Sequence, residues 1–223
     1  YKKYVDLIVK KVKDNAPVFA GADGDCGSGI VTRALKKAGA GVWGFDISDD
    51  MLQKAVTAAE KDKLNITFLK QNLLNFKSFE KLGFLTVIND GLNYIDPKNL
   101  TAAFKNFNKN MVKKGALVFD ISTPYKLKTV LGNNVYGDDG EDLSYIWFNT
   151  LGDGFVDIEI TFFEKKGEVY VRTEETQRQY IHEIEDVYSA LKDAGFTLSN
   201  VCDDLGGELK SDSMRAVFTA IKN

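Results

Sequence analysis

The chain has 223 residues, of which 44% are apolar and 12% aromatic, enough to bury the core of one α/β domain. Its formal net charge of −3, from 29 basic and 32 acidic side chains, excludes the strong positive footprint of a nucleic-acid binder. Two cysteines, Cys26 and Cys202, make no disulfide framework, and no apolar run approaches the ~18 residues of a membrane span; a cytoplasmic protein is expected.

In chain order, YKKYVDLIVKKVK places Tyr1, Val5, Ile8 and Val12 on one helix face, with its lysines solvated. Strands are then predicted at Val18–Ala22, Gly41–Asp46, Asn65–Lys70, Phe84–Asn89 and Ala116–Ile121. Between them, helices are predicted at Gly29–Ala38, Asp49–Lys61 and Pro97–Val112. Ser48 is placed to cap the second helix, with Asp49 and Asp50 at its positive end. Gly39 and Gly115 stand where helices should stop. Strand–helix alternation of this kind implies a doubly wound, mostly parallel sheet covered on both faces.

After Ser122 the alternation breaks. LSYIWFNTL, FVDIEITFFEKK and EVYVRTEETQRQY read as strands joined at GDG and KKG, an antiparallel lid over residues 143–180 inserted into a single domain of residues 1–223. IEDVYSALKDAG returns as an amphipathic helix, and TLSNVCDD and SMRAVFTAIK close the chain as two strands.

The segment VFAGADGDCGSGIVTRALKKAGAGVWGFDIS runs from a strand through a glycine-rich loop to a helix and a second strand ending in Asp46. In an open parallel sheet, such a loop lets backbone N–H groups and a helix N-terminus approach a ligand. A dinucleotide fingerprint would need glycine where GSGIVT has Thr32, which disfavours an NAD-dependent oxidoreductase, and no Walker sequence follows. Cys26 reads as a small loop filler, since no histidine is near it in sequence. One histidine, His182, makes a metal triad improbable; it reads as a surface or capping residue before the last long helix.

What remains, ADGDCGSG, resembles the D-x-G-x-G-x-G loop of class I S-adenosylmethionine-dependent methyltransferases. VWGFDISDDML, ITFLKQNLLNF and VINDGLNYI resemble the second, third and post-fourth-strand motifs of that family, and GALVFDISTPYKL followed by the hairpins and ALKDAGF is similar to its small bacterial members with a β-lid. The resemblance implies S-adenosylmethionine as cofactor and methyl transfer to a small-molecule acceptor by a monomer or homodimer. It implies cofactor contacts at Asp23, Asp25, Gly27, Gly29, Asp46, Ile47, Met51, Asn72, Leu73 and Asp90. Asp46 takes the place of the acid that accepts both ribose hydroxyls, and Asn72 the place that reads the adenine amine.

Four positions depart from the family: Asp25 stands at a glycine or alanine, Asn72 and Leu85 at acids, and Thr176 at a histidine. Asp25 brings bulk and charge to the methionine end of the cofactor, which supports a second reading, a binding module with impaired cofactor affinity. Asp90 and Asn93 suit ordinary turns as well as a site. Tyr94, Tyr125 and Trp147 are the expected substrate-facing aromatics, and Arg172 and Arg178 fit either solvated strand residues or anion binders. No catalytic residue stands out; Asp90, Tyr94 and His182 are the candidate bases.

Overall fold

A computed structural model describes residues 1–223. The order is α1 (Lys2–Asn15), β1 (Ala20–Gly24), α2 (Ile30–Lys37), β2 (Gly41–Asp46), α3 (Asp49–Lys61), β3 (Phe68–Lys70), β4 (Leu82–Val87), α4 (Pro97–Asn110) and β5 (Met111–Ser122). Four strands follow, β6 (Val135–Asp139), β7 (Leu143–Leu151), β8 (Phe155–Lys166) and β9 (Val169–Tyr180), then α5 (Ile184–Asp193), β10 (Phe196–Cys202) and β11 (Arg215–Lys222). The main sheet has seven strands in the order β10-β11-β5-β4-β1-β2-β3. Strands β3, β2, β1, β4 and β5 are parallel, and β11 runs antiparallel to both β5 and β10. The chain reverses direction across the sheet between β1 and β4, and the crevice beyond their carboxyl ends is where such sheets hold ligands.

Two-residue alternation sorts the core. In β5, Leu117, Phe119 and Ile121 face the α4–α5 side, while Ala116 and Val118 face α1 and α2. Phe119 stacks on Phe218 of β11 at 4.8 Å, which locks the antiparallel C-terminal strand to the parallel core. Helix α1 buries Tyr4, Val5, Ile8 and Val12, so Tyr4 completes the stripe and Tyr1 is left exposed. Gly39 takes a φ of 96° just past α2, as a helix terminator does. Gly115 does not terminate α4: it lies inside β5, whose first half bulges where Leu82 and Phe84 face Met111 and Ala116.

The lid is a separate four-stranded antiparallel sheet, β6-β7-β8-β9. Its first strand, Val135–Asp139, pairs along β7 and lies ahead of the range expected from the sequence. Val156 and Ile158 of β8 close over Leu127, Leu131 and Ile181, which fixes the lid to the segment that follows β5. No helix is long and apolar enough to cross a membrane.

Candidate cofactor and acceptor site

At the carboxyl ends of β1, β2 and β4 lies a cavity of about 740 Å³, within the range of small-molecule sites. Its floor is the glycine loop. Gly27 and Gly29 have φ of 51° and 73°, conformations that cost a side chain free energy, and Gly29 opens α2. Asp23 is 1% exposed and accepts from Thr32 Oγ1 at 2.6 Å and Thr86 Oγ1 at 2.5 Å, tying β1 to α2 and β4. The hydroxyl of Thr32 therefore has a use that a dinucleotide-type glycine could not supply. Burial raises the Asp23 carboxyl to about 6 despite those bonds.

Asp46 ends β2 and is 5% exposed. Its Oδ2 accepts from the Gly27 N–H at 2.8 Å and its Oδ1 from the Ser48 N–H at 2.9 Å. A carboxylate has about four lone-pair positions, so one per oxygen remains for a diol. Ser48 caps α3 by accepting from the Met51 N–H, which fixes the backbone on which Ile47 and Met51 sit. Ile30, Ile47, Met51 and Leu74 are 41%, 59%, 40% and 38% exposed, and all four line this one cavity. Apolar side chains gathered like this mark a surface that a flat ligand would cover. Asn72 and Leu73 line the same wall; Asn72 Oδ1 already accepts from the Leu74 N–H at 2.8 Å, leaving its second lone pair for an amine.

Asp25 occupies a left-handed turn at φ 54° and leans towards the segment after β4, where a Cβ added to Gly91 would lie 2.5 Å from its Oδ2. No donor pairs with it. Burial, followed by repulsion from Asp46, Asp23 and Asp90, pushes its carboxyl up to about 7. A folded-state value above the ordinary 3.8 means that the stability tied to the protonated form is complete below about pH 4 and is lost as pH rises through about 7. Asp25→Asn should therefore gain stability over the wild type between those limits and level off above them. The expected gain is about 1–3 kcal/mol after allowing for solvent access, read from urea denaturation at about pH 5 and about pH 8. A difference that does not change with pH would show that Asp25 keeps an ordinary pKa.

Beyond β4, Asn89 and Asp90 take φ of 68° and 67° and lead into a 3₁₀ turn, Gly91–Tyr94. Asp90 itself faces away from the cavity lining: Arg215 Nη1 lies 2.7 Å from its Oδ1 and Lys126 Nζ 3.5 Å from its Oδ2. Tyr94 does line the cavity, and its hydroxyl donates to Gln177 Oε1 at 2.8 Å. Glu175, Thr176 and Gln177 of β9 line the cavity beside it, so the lid packs on the cavity side of the domain.

Several expected positions lie elsewhere. Gly29 is buried under the loop and shapes the cavity without lining it. Tyr125 begins a π-helical turn at Lys126–Leu131, outside the cavity. Trp147 packs on Tyr136 and donates from Nε1 to Asn149 within the lid's own core. His182 is neither a surface residue nor a cap: it is 2% exposed, its Nε2 is 2.9 Å from the Leu92 carbonyl, and burial lowers its pKa. Arg178 is held by Asp157 at 2.6 Å and Arg172 pairs with Glu174. Burial and the neighbouring acids push the Cys26 thiol far up, which disfavours the thiolate that a nucleophile needs. Tyr1 and Asn89, which the sequence reading passed over, also line the cavity, and Asn89 Nδ2 donates to Tyr1 Oη at 2.7 Å.

A family model described as a methyltransferase domain matches residues 23–115. YqeM of Bacillus subtilis (strain 168), named as a provisional methyltransferase, is 31% identical over 89% of this chain and 82% of its own length. The chain belongs to the class I S-adenosylmethionine-dependent methyltransferases. A second provisional methyltransferase, GWCH70_2453 of Geobacillus sp. (strain WCH70), is 29% identical over the whole chain and 92% of its own length. The crystal structure of an S-adenosylmethionine-dependent methyltransferase from Clostridium acetobutylicum ATCC 824 superposes on this methyltransferase-family chain with a TM-score of 0.94 at 29% identity, covering 100% of this chain and 92% of the other. The cofactor of the family is S-adenosylmethionine, and the cavity suits it: a carboxylate with lone pairs to spare stands beside an exposed apolar slot.

Proposed function

We propose that this protein transfers a methyl group from S-adenosylmethionine to a small-molecule acceptor. The observation that carries the reading is Asp46, held in place by two backbone N–H groups beside the open slot of Ile47, Met51 and Leu74. In this reading Asp46 takes the ribose, the apolar slot takes the adenine with Asn72 and Leu73 at its edge, and the glycine loop takes the methionine end. The bound cofactor supplies an activated methyl group, so the protein's work is mainly positioning and exclusion of water. Tyr94 and the β9 wall would hold the acceptor, and the lid's position against the cavity fits an acceptor of small size. Asp90 is engaged by Arg215 and Lys126, and His182 by a carbonyl, so neither is free to take a proton from an acceptor in the cavity.

Calorimetric titration with S-adenosylmethionine, S-adenosylhomocysteine and NAD tests this directly. Binding of the first two and not the third is expected; binding of NAD alone would sink the reading.

Asp25 favours a second reading, a site of reduced cofactor affinity. Its carboxyl lies between the glycine loop and Gly91, has no donor and is disfavoured in its charged form. Asp25→Gly should tighten S-adenosylhomocysteine binding by at least about tenfold, equivalent to ~1.4 kcal/mol. Weaker binding by that variant would instead make Asp25 the partner of the cofactor ammonium.

A further inference from the structure

The acceptor end of the cavity carries a charge pattern that narrows what enters it. Of the residues lining the cavity, Asp23, Asp25, Asp46 and Glu175 are acids, and none is a lysine, arginine or histidine. Three of these acids belong to the end of β1, the loop and β2, where the cofactor is proposed to lie. Glu175 does not. It stands on β9 two residues before Gln177, the acceptor of the Tyr94 hydroxyl, and is exposed with no ion-pair or hydrogen-bond partner, whereas the arginines near it on the same strand are already matched to Glu174 and Asp157.

The side chains beside Glu175 bond to one another and leave its carboxylate unpaired. The Tyr94 hydroxyl spends its proton on Gln177 Oε1. Gln179, 7% exposed, reaches that hydroxyl with Nε2 at 3.4 Å, and its Oε1 is buried without any donor. This end of the cavity therefore offers a free carboxylate and no cationic group to meet an anion; its donors are the neutral Gln177 amide and Thr176 hydroxyl. The Tyr94 proton is also held more tightly than usual, first through burial and then through Asp25, Asp90 and Glu175. An ammonium group brings a positive charge and up to three N–H donors, and answers the unpaired carboxylate. A carboxylate or phosphate would meet only like charge, at a cost that rises as the cavity closes to water.

We propose that the acceptor is a small amine whose ammonium group is held by Glu175 at the Tyr94–β9 wall. The proposal rests on the methyltransferase reading of the cavity for its location, and concerns recognition of the acceptor and not which of its atoms is methylated.

The test uses matched probes on the full chain, cyclohexylamine and cyclohexanecarboxylate, titrated by NMR against isotope-labelled protein with and without saturating S-adenosylhomocysteine. Calorimetry on the same sample reports S-adenosylhomocysteine binding separately, so failure of the cofactor reading shows itself there. The amine should bind at least about tenfold more tightly than the carboxylate and shift the Tyr94 and Gln177 amides. Glu175→Gln should weaken the amine by about three- to tenfold, the size of one partly exposed charge pair, and leave S-adenosylhomocysteine affinity unchanged. Equal or tighter binding of the carboxylate, no binding of either probe, or an amine affinity indifferent to Glu175→Gln would each overturn the proposal.

Discussion

Arg215→Met is expected to lower the unfolding free energy by about 3–5 kcal/mol, the cost of leaving a buried charge without its partner. The Asp120 side chain is 0% exposed, and Arg215 Nη1 lies 2.6 Å from its Oδ2. Asp120 also accepts from Tyr4 Oη and from the backbone N–H groups of Asn89 and Asp90, the latter at 3.2 and 2.8 Å. Those two residues are the consecutive left-handed pair that turns the chain from β4 into the segment bearing Tyr94. Burial works against the charge on Arg215, but Asp120 and Asp90 outweigh it and raise its pKa. Methionine fills much of the arginine volume, so the loss measured would be that of the charge and not of packing. Urea denaturation checks the stability. The variant should also loosen the Asn89–Asp90 turn, seen as faster amide exchange there. A stability loss under about 1 kcal/mol would mean that the backbone donors and Tyr4 suffice to hold the Asp120 charge.

This network shows where sequence reading reaches its limit. Asp120 sits inside GALVFDIS, and an acid within a buried strand needs a partner, so a partner was foreseeable in kind. Its identity was not, because Tyr4 and Arg215 lie 116 and 95 residues away and meet it only through the strand order and register of the whole sheet. Local signals behaved differently. β2 and α3 occupy Gly41–Asp46 and Asp49–Lys61, the ranges expected from an apolar run and a Ser48 cap followed by two acids. The five parallel strands of the sheet followed from strand–helix alternation, which dictates parallel pairing.

Legibility was poorest where the pattern is weak or the fold overrides it. VYGDD of β6 has glycine and two aspartates, which suit a turn, and it becomes a strand only because β7 offers an edge. His182 precedes a helix and so reads as a cap, yet the 3₁₀ turn after β4 folds over it and supplies the Leu92 carbonyl. Trp147 and Tyr125 read as substrate-facing because they are aromatic, a property that equally suits a core, and Trp147 is used for the lid's interior. The site itself was partly legible: Asp23, Asp25, Gly27, Asp46, Ile47, Met51, Asn72, Leu73 and Tyr94 do meet at one cavity. They do so because motifs at successive strand ends converge in a parallel sheet. Glu175 and Gln177 had no such signal, since lid position relative to the sheet is set by packing around Leu127, Leu131 and Ile181.

Asp46→Ala should weaken S-adenosylhomocysteine binding by about 2–4 kcal/mol, from the loss of two charge-assisted bonds to a diol. The geometry adds a second contribution with the same sign. Asp46 at present holds the Gly27 and Ser48 N–H groups, so its removal also frees the glycine loop and the first turn of α3. Part of the loss would then appear without any ligand, as lower stability, and the two contributions can be separated. Asp46→Asn keeps an oxygen that can accept from one N–H group but removes the charge and one acceptor. It should retain most of the stability and still lose roughly 1–2 kcal/mol of S-adenosylhomocysteine affinity, the difference between charged and neutral acceptors. Calorimetry and urea denaturation on both variants give the four numbers required. If both variants bind S-adenosylhomocysteine as the wild type does, Asp46 holds only the loop, and the ribose must be bound elsewhere in the cavity.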